Sequence, residues 1–175
     1  MGSESFNPTV NAIISLNPNA LTIADDLDAK IASRNATGAL FCIPILLKDN
    51  YDTVDMNTTG GCLGLAGNRA TADAPTVTAF RDAGAIILGK TNLHELALEG
   101  LSVSSLGGQT VNPYDHSRTP GGSSGGTGAV PLVILPLILR YFGSGAIEIF
   151  MPIKNPDTGS SAPSYQTTRR YTNLL

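Results

Sequence analysis

The chain has 175 residues, 42% hydrophobic and 14% charged, with a formal net charge of −3 and a sequence pI near 5.2. That is enough apolar chain for one buried core, within the usual range of about 100–200 residues per domain. The acidic balance leaves no basic surface of the kind that phosphate backbones or anionic membranes attract, so neither nucleic acid nor a membrane is an expected partner.

Nineteen glycines and eleven prolines argue against a helical bundle and for a loop-rich α/β or α+β domain. Cys42 and Cys62 share no CxxC spacing and are expected as buried free thiols. The opening MGSESFNPTV lacks a charged start and an apolar stretch, and Phe6 stands where a myristoylation motif needs Ser or Thr. The run VPLVILPLIL is too short for a bilayer span of about 17–25 apolar residues and is broken by Pro131 and Pro136. The expected compartment is the cytoplasm.

In chain order, Asn19 followed by ALTIADDLDAKIASR predicts a capped amphipathic helix with a stripe of Leu21, Ala24, Leu27 and Ile31. ALFCIPILL, residues 39–47, predicts a strand buried on both faces, ending at Lys48-Asp49-Asn50, where an α/β fold often places chemistry. Asp73 and Pro75 begin a helix over PTVTAFRDA that Gly84 stops, and Ala85 to Leu88 predicts a short buried strand. Thr91 or Asn92 caps a further helix over LHELALE, ended by Gly100. Residues 101–128 are a long Ser, Gly, Asn and Pro loop, of a length that is usually functional or disordered.

Three motifs carry less than their patterns suggest. Gly84 to Thr91, GAIILGKT, matches the phosphate-binding pattern GxxxxGK[ST]. That cradle needs a flexible loop between its glycines, whereas Ala-Ile-Ile-Leu is strand text, so a nucleotide site ranks last among the readings. His94-Glu95 begins the zinc pattern HExxH, but Leu98 holds the second histidine's place, and with His116 as the other histidine a surface or capping role is expected for both. The sequons at Asn35 and Asn57 are short enough to arise by chance.

Lys48 and the stretch GGSSGG, residues 121–126, carry more. Lys48 follows an apolar strand directly, and two roles are open to it: an ion pair with Asp49 or a loop carboxylate, or a desolvated amine. Burial can lower a lysine pKa by up to ~3–5 units, enough to make it accept a proton at cellular pH. Gly/Ser text is by default a flexible linker, but here it lies inside a chain with a strong core signal. A serine flanked by glycines can approach a second backbone closely, which suits a hydroxyl relaying a proton between a neutral lysine and a nucleophile.

FCIPILLKDNYDT, DAPTVTAFRDAGAIILGKTNLHELA and GGQTVNPYDHSRTPGGSSGGTGA, in that order, resemble the amidase signature family over roughly residues 8 to 130. The resemblance implies an α/β fold, an incomplete amidase-signature core of mixed sheet flanked by helices. It implies hydrolysis of a carboxamide, a carbon–nitrogen bond other than a peptide bond, through an acyl-enzyme and a Ser–Ser–Lys triad, with no metal or organic cofactor. By that resemblance Lys48 is the base and Ser123 the middle serine, which the family holds in a cis peptide. The nucleophilic serine is then expected near Ile147, where no serine stands; Ser144 is the nearest hydroxyl. The family text ends at Val130, which suggests a reading-frame or splice change. Residues 1–130 are thus expected as the N-terminal part of an amidase-signature domain and 131–175 as a divergent tail. The expected partner is a small-molecule amide, with simple amides, fatty amides and glutaminyl groups all open, as is the oligomeric state. Activity is expected to be impaired; the alternatives are a catalytically silent binding protein that keeps the amide pocket and, last, a nucleotide binder.

Overall fold

The computed structural model describes residue 7 and residues 9–130. Strands β1 (Ile13–Leu16), β2 (Pro44–Lys48) and β3 (Ile86–Thr91) form a sheet in the order β1-β3-β2, with β1 antiparallel and β2 parallel to the central strand. Helix α1 (Ala20–Ala32) joins β1 to the β2 segment, and α2 (Pro75–Asp82) lies in the crossover from β2 to β3. A small hairpin of β4 (Val103–Ser104) and β5 (Gly108–Gln109) follows, and residues 125–130 are helical, here α3. This is the α/β class expected, a mixed sheet with helices against it. Among the described residues no helix is long and apolar enough to cross a membrane.

The strands alternate their side chains between two apolar layers, as the pleat requires. Leu47 and Ile87 pack with Met56 and Val77 of the α2 layer. Ile86 and Leu88 pack with Ala20 and Leu27 of α1, and Leu46 packs with Val10, Ala12, Ile13, Ala129 and Val130 where α3 arrives. The pairing slips between Ile45↔Ile87 and Leu46↔Gly89, so Leu88 is an extra residue in β3. Such a bulge resets the alternation. Lys90, opposite Leu47, therefore shares the α2 face with it, and Thr91, opposite Lys48, faces α3.

Several local expectations are corrected. The buried stripe of α1 is Ala20, Ile23, Ala24 and Leu27, while Leu21 is 81% and Ile31 52% exposed. Asn19 stands at the N-cap without a side-chain bond; instead Asn17 Oδ1 accepts from the Asn19 N–H at 2.9 Å. The strand expected from 39 begins only at Pro44, since Cys42 takes φ 62° and its N–H turns to Gly84 O at 3.0 Å. Helix α2 has Pro75 in its first turn, as expected. Asp73 does not cap it but accepts from Val54 N–H and Arg81 Nε. β3 runs on through Lys90 and Thr91.

The helix expected over LHELALE is absent; only a 3-10 turn, Glu95–Ala97, forms, with Leu96 and Ala97 at positive φ. Its amides are committed elsewhere: His94 N–H donates to Ser123 O and Leu96 N–H to Gly60 O. Asn92 does not cap a helix, since its side-chain amide donates to Asn11 O and Gly108 O. Both cysteines are free and half-buried rather than buried, with burial and the nearby Asp28 pushing the Cys42 thiol pKa up. GAIILGKT lies mostly in β3, with Ile87 and Lys90 both 0% exposed. Its amides serve the sheet, so no phosphate cradle forms there. Ser144, Ile147 and the tail 131–175 lie outside the described residues.

Candidate active site

Two segments far apart in sequence meet at the end of β2. Lys48 closes that strand on the face turned toward α3, and Ser123 stands just before α3 begins. Their side chains touch, with Lys48 Nζ 2.6 Å from Ser123 Oγ, and the Gly122–Ser123 peptide is cis. Both residues are half-buried. Burial lowers the Lys48 pKa from its ordinary value, because removing the ammonium from water disfavours its charged form. Asp49, the carboxylate next in sequence, is turned to the other face, so the bland ion-pair reading of Lys48 finds no support there.

The Ser123 segment is held from several sides. Ser123 O accepts from His94 N–H at 2.9 Å, and the buried Ser102 hydroxyl donates to Gly121 O at 2.6 Å. The α3 end is fixed by Gly126 N–H to Asn92 O at 2.9 Å and by contact of the Thr91 and Thr127 hydroxyls at 2.8 Å. The glycines of GGSSGG allow this approach. A Cβ on Gly126 would lie 2.3 Å from Asn92 O and 2.4 Å from Ala12 O, and one on Gly125 would lie 1.9 Å from Ser102 Oγ. Any side chain there drives α3 off β1 and β3, taking Ser123 with it.

The sequence therefore names the two side chains that meet but not what holds them. Ser102 and Thr127 carry no motif of their own, and the patterns that include Thr91 and His94 point to other chemistry. Only the positions of Thr91 at the end of a buried strand and His94 just after it hint at a role. His94 has a backbone part at the site, and its Nε2 lies 3.9 Å from Glu99 Oε2. Among the described residues, no three of His, Cys, Asp and Glu converge as a metal-ligand set.

A family model described as Amidase matches residues 2–131. The chain belongs to the amidase family. It is 38% identical over 169 residues to a glutamyl-tRNA(Gln) amidotransferase subunit of Acidothermus cellulolyticus, covering 95% of this chain and 33% of that protein. It is 42% identical over 122 residues to the corresponding chloroplastic/mitochondrial subunit of Vitis vinifera, covering 70% of this chain and 22% of that one. The native peptide amidase of Stenotrophomonas maltophilia superposes with a TM-score of 0.67 at 43% identity, over 71% of this chain and 27% of its own. This chain thus spans a third or less of these relatives, and its fold is an incomplete amidase core. The family model stops at 131, while the 169-residue alignment necessarily extends beyond it.

Proposed function

We propose that residues 1–130 are the N-terminal part of an amidase-signature domain in which Lys48 is the base and Ser123 the proton relay of a Ser–Ser–Lys triad, with 131–175 a divergent tail. The observation that carries this reading is the 2.6 Å contact between a desolvated lysine amine and a serine hydroxyl. Neutral Lys48 accepts the Ser123 proton, and Ser123 Oγ accepts a proton from a nucleophilic hydroxyl as that oxygen bonds to the carboxamide carbon. The proton returns along the same path to the departing nitrogen, the C–N bond breaks, and water then releases the acyl group. The named relatives support an amide as substrate. Two of them are amidotransferase subunits, which also makes a companion protein of an amidotransferase assembly a candidate partner.

No serine stands near Ile147, where the resemblance puts the nucleophile, so turnover by this chain is expected to be impaired. The test is to assay the purified chain against small, aryl and long-chain amides together with a serine-directed fluorophosphonate. The expected result is no measurable hydrolysis and no labelling. Hydrolysis abolished by Ser144→Ala would contradict the impairment and place the nucleophile in the tail. Hydrolysis that survives both Lys48→Ala and Ser123→Ala would remove those residues from the mechanism. The second reading, a silent amide-binding protein, is favoured by the Lys48–Ser123 contact together with the lack of a serine near Ile147 in the sequence, and predicts amide binding weakened by Ser123→Ala without turnover.

A further inference from the structure

The other face of the same two strands holds a second lysine that the proposed chemistry does not use. Lys90 is 0% and Asp49 1% exposed, and Lys90 Nζ stands 3.6 Å from Asp49 Oδ1, which takes no hydrogen bond. An ammonium has three donors, and all three are taken by the loop after β2: Tyr51 O at 2.7 Å, Asn57 O at 3.2 Å and the Thr58 hydroxyl at 3.2 Å. The contact with Asp49 is thus one of charge. Asp49 Oδ2 instead accepts from the Thr59 N–H and, closely, from the Thr59 hydroxyl. Thr59 Oγ1 in turn accepts from Gly61 N–H at 3.0 Å, and Asp49 O accepts from Gly60 N–H at 3.0 Å. Gly60 and Gly61 both take positive φ, a conformation that side chains with a Cβ disfavour.

These contacts bear on Lys48 through the chain itself. Side chains alternate along a strand, so the carboxylate of Asp49 and the amine of Lys48 project to opposite faces from adjacent residues. Tyr51, whose carbonyl Lys90 holds, donates its own N–H to Lys48 O at 3.0 Å, and Asp49 N–H donates to Thr91 O at 3.2 Å. The backbone of residues 48–51 is therefore clamped from the α2 face, and that clamp sets the direction in which the Lys48 side chain leaves the sheet.

We propose that the buried Asp49–Lys90 pair is a positioning unit: by gathering loop 49–61 on one face of the sheet, it fixes the end of β2 and so the reach of Lys48 to Ser123 on the other. This rests on the proposed role of Lys48. Neither residue touches the reacting atoms. Burial lowers the Lys90 pKa, opposed by Asp49, Asp52 and Asp55, which are the charged groups around it. With Asp49 and the loop acceptors in place, Lys90 serves as a fixed cation, whereas Lys48 has a hydroxyl for its partner.

The test follows the ionisation of Lys48 by NMR of the full chain carrying 13C at lysine Cε, with the Lys48 signal assigned by Lys48→Arg. Lys90→Met is expected to move the Lys48 midpoint up toward that of a free lysine, and so is Thr59→Val, which removes no charge and cuts the same chain of contacts at Thr59. Val77→Ala, in the apolar layer of the same face, is the control for general loosening and is expected to leave the midpoint in place. If Lys90→Met does not fold, Thr59→Val decides. A midpoint unmoved by Thr59→Val, or moved as far by Val77→Ala, overturns the proposal. A wild-type midpoint equal to that of a free lysine would instead defeat the base role of Lys48, a separate outcome.

Discussion

Lys48 and Lys90 sit on neighbouring paired strands, each desolvated, yet their surroundings differ, and with them the tasks proposed for each. Lys90 is wholly enclosed by a carboxylate and three oxygen acceptors. Lys48 is half-buried and meets a serine hydroxyl. Desolvation lowers both pKa values, so burial alone does not distinguish a base from a structural cation. What distinguishes them is the partner set: acceptors and a counter-charge retain a proton, while a hydroxyl can exchange one.

The largest expected effect breaks that comparison from the Lys90 side. Lys90→Met leaves the Asp49 carboxylate buried without its counter-charge, which costs about 3–5 kcal/mol of stability. Lys48→Met removes a desolvated amine that has no ion pair among the described residues, and should cost only about 0.5–1.5 kcal/mol, the net worth of an average hydrogen bond. Urea denaturation of the two variants checks the contrast, and equal losses would erase it. Next in size, Gly126→Ala should destabilise by about 1–3 kcal/mol through overpacking against Asn92 O and Ala12 O. It should also abolish the Lys48–Ser123 contact, seen as a changed Lys48 NMR shift.

A smaller effect sharpens the contrast through pH. Because the folded-state pKa of Lys48 lies below its unfolded value, the folded state binds fewer protons between the two, and stability rises with pH across that window. The stability of the chain relative to Lys48→Met should therefore be greatest above the unfolded lysine value of about 10.4 and fall as pH drops through the folded value. Denaturation midpoints at several alkaline pH values test the sign. The smallest expected effect is none: ATP should not bind at GAIILGKT, because Lys90 is already bonded within the fold. Micromolar affinity lost in Lys90→Ala, by calorimetry, would overturn that.

How far the sequence reaches differs between these two lysines as well. Periodicity and punctuation place α1, α2 and β3 within a few residues, and the text around Lys48 and GGSSGG identifies the two side chains that meet. The helix over LHELALE fails because its propensity is overridden by amides drawn to Ser123 O and Gly60 O, contacts that no local pattern encodes. The bulge at Leu88 is equally silent in a run of apolar letters, although the isolated Gly89 was a usable sign of one. Its Cβ would lie 2.5 Å from Ser15 O. Without the bulge, the alternation would send Lys90 to the α1 face, so the Asp49 pairing could not be read from spacing. A lysine inside buried strand text was nonetheless a signal that a carboxylate must stand nearby.

The proposed base role requires Lys48 to give up its proton more readily than an exposed lysine, and titration of Lys48 in the unmodified chain reads that property. The Lys48 Cε signal, followed by NMR from neutral to strongly alkaline pH, should show a midpoint below the free-lysine value of about 10.4, and Ser123→Ala should alter its chemical shift. A midpoint at the free-lysine value and a signal indifferent to Ser123→Ala would contradict the base role of Lys48.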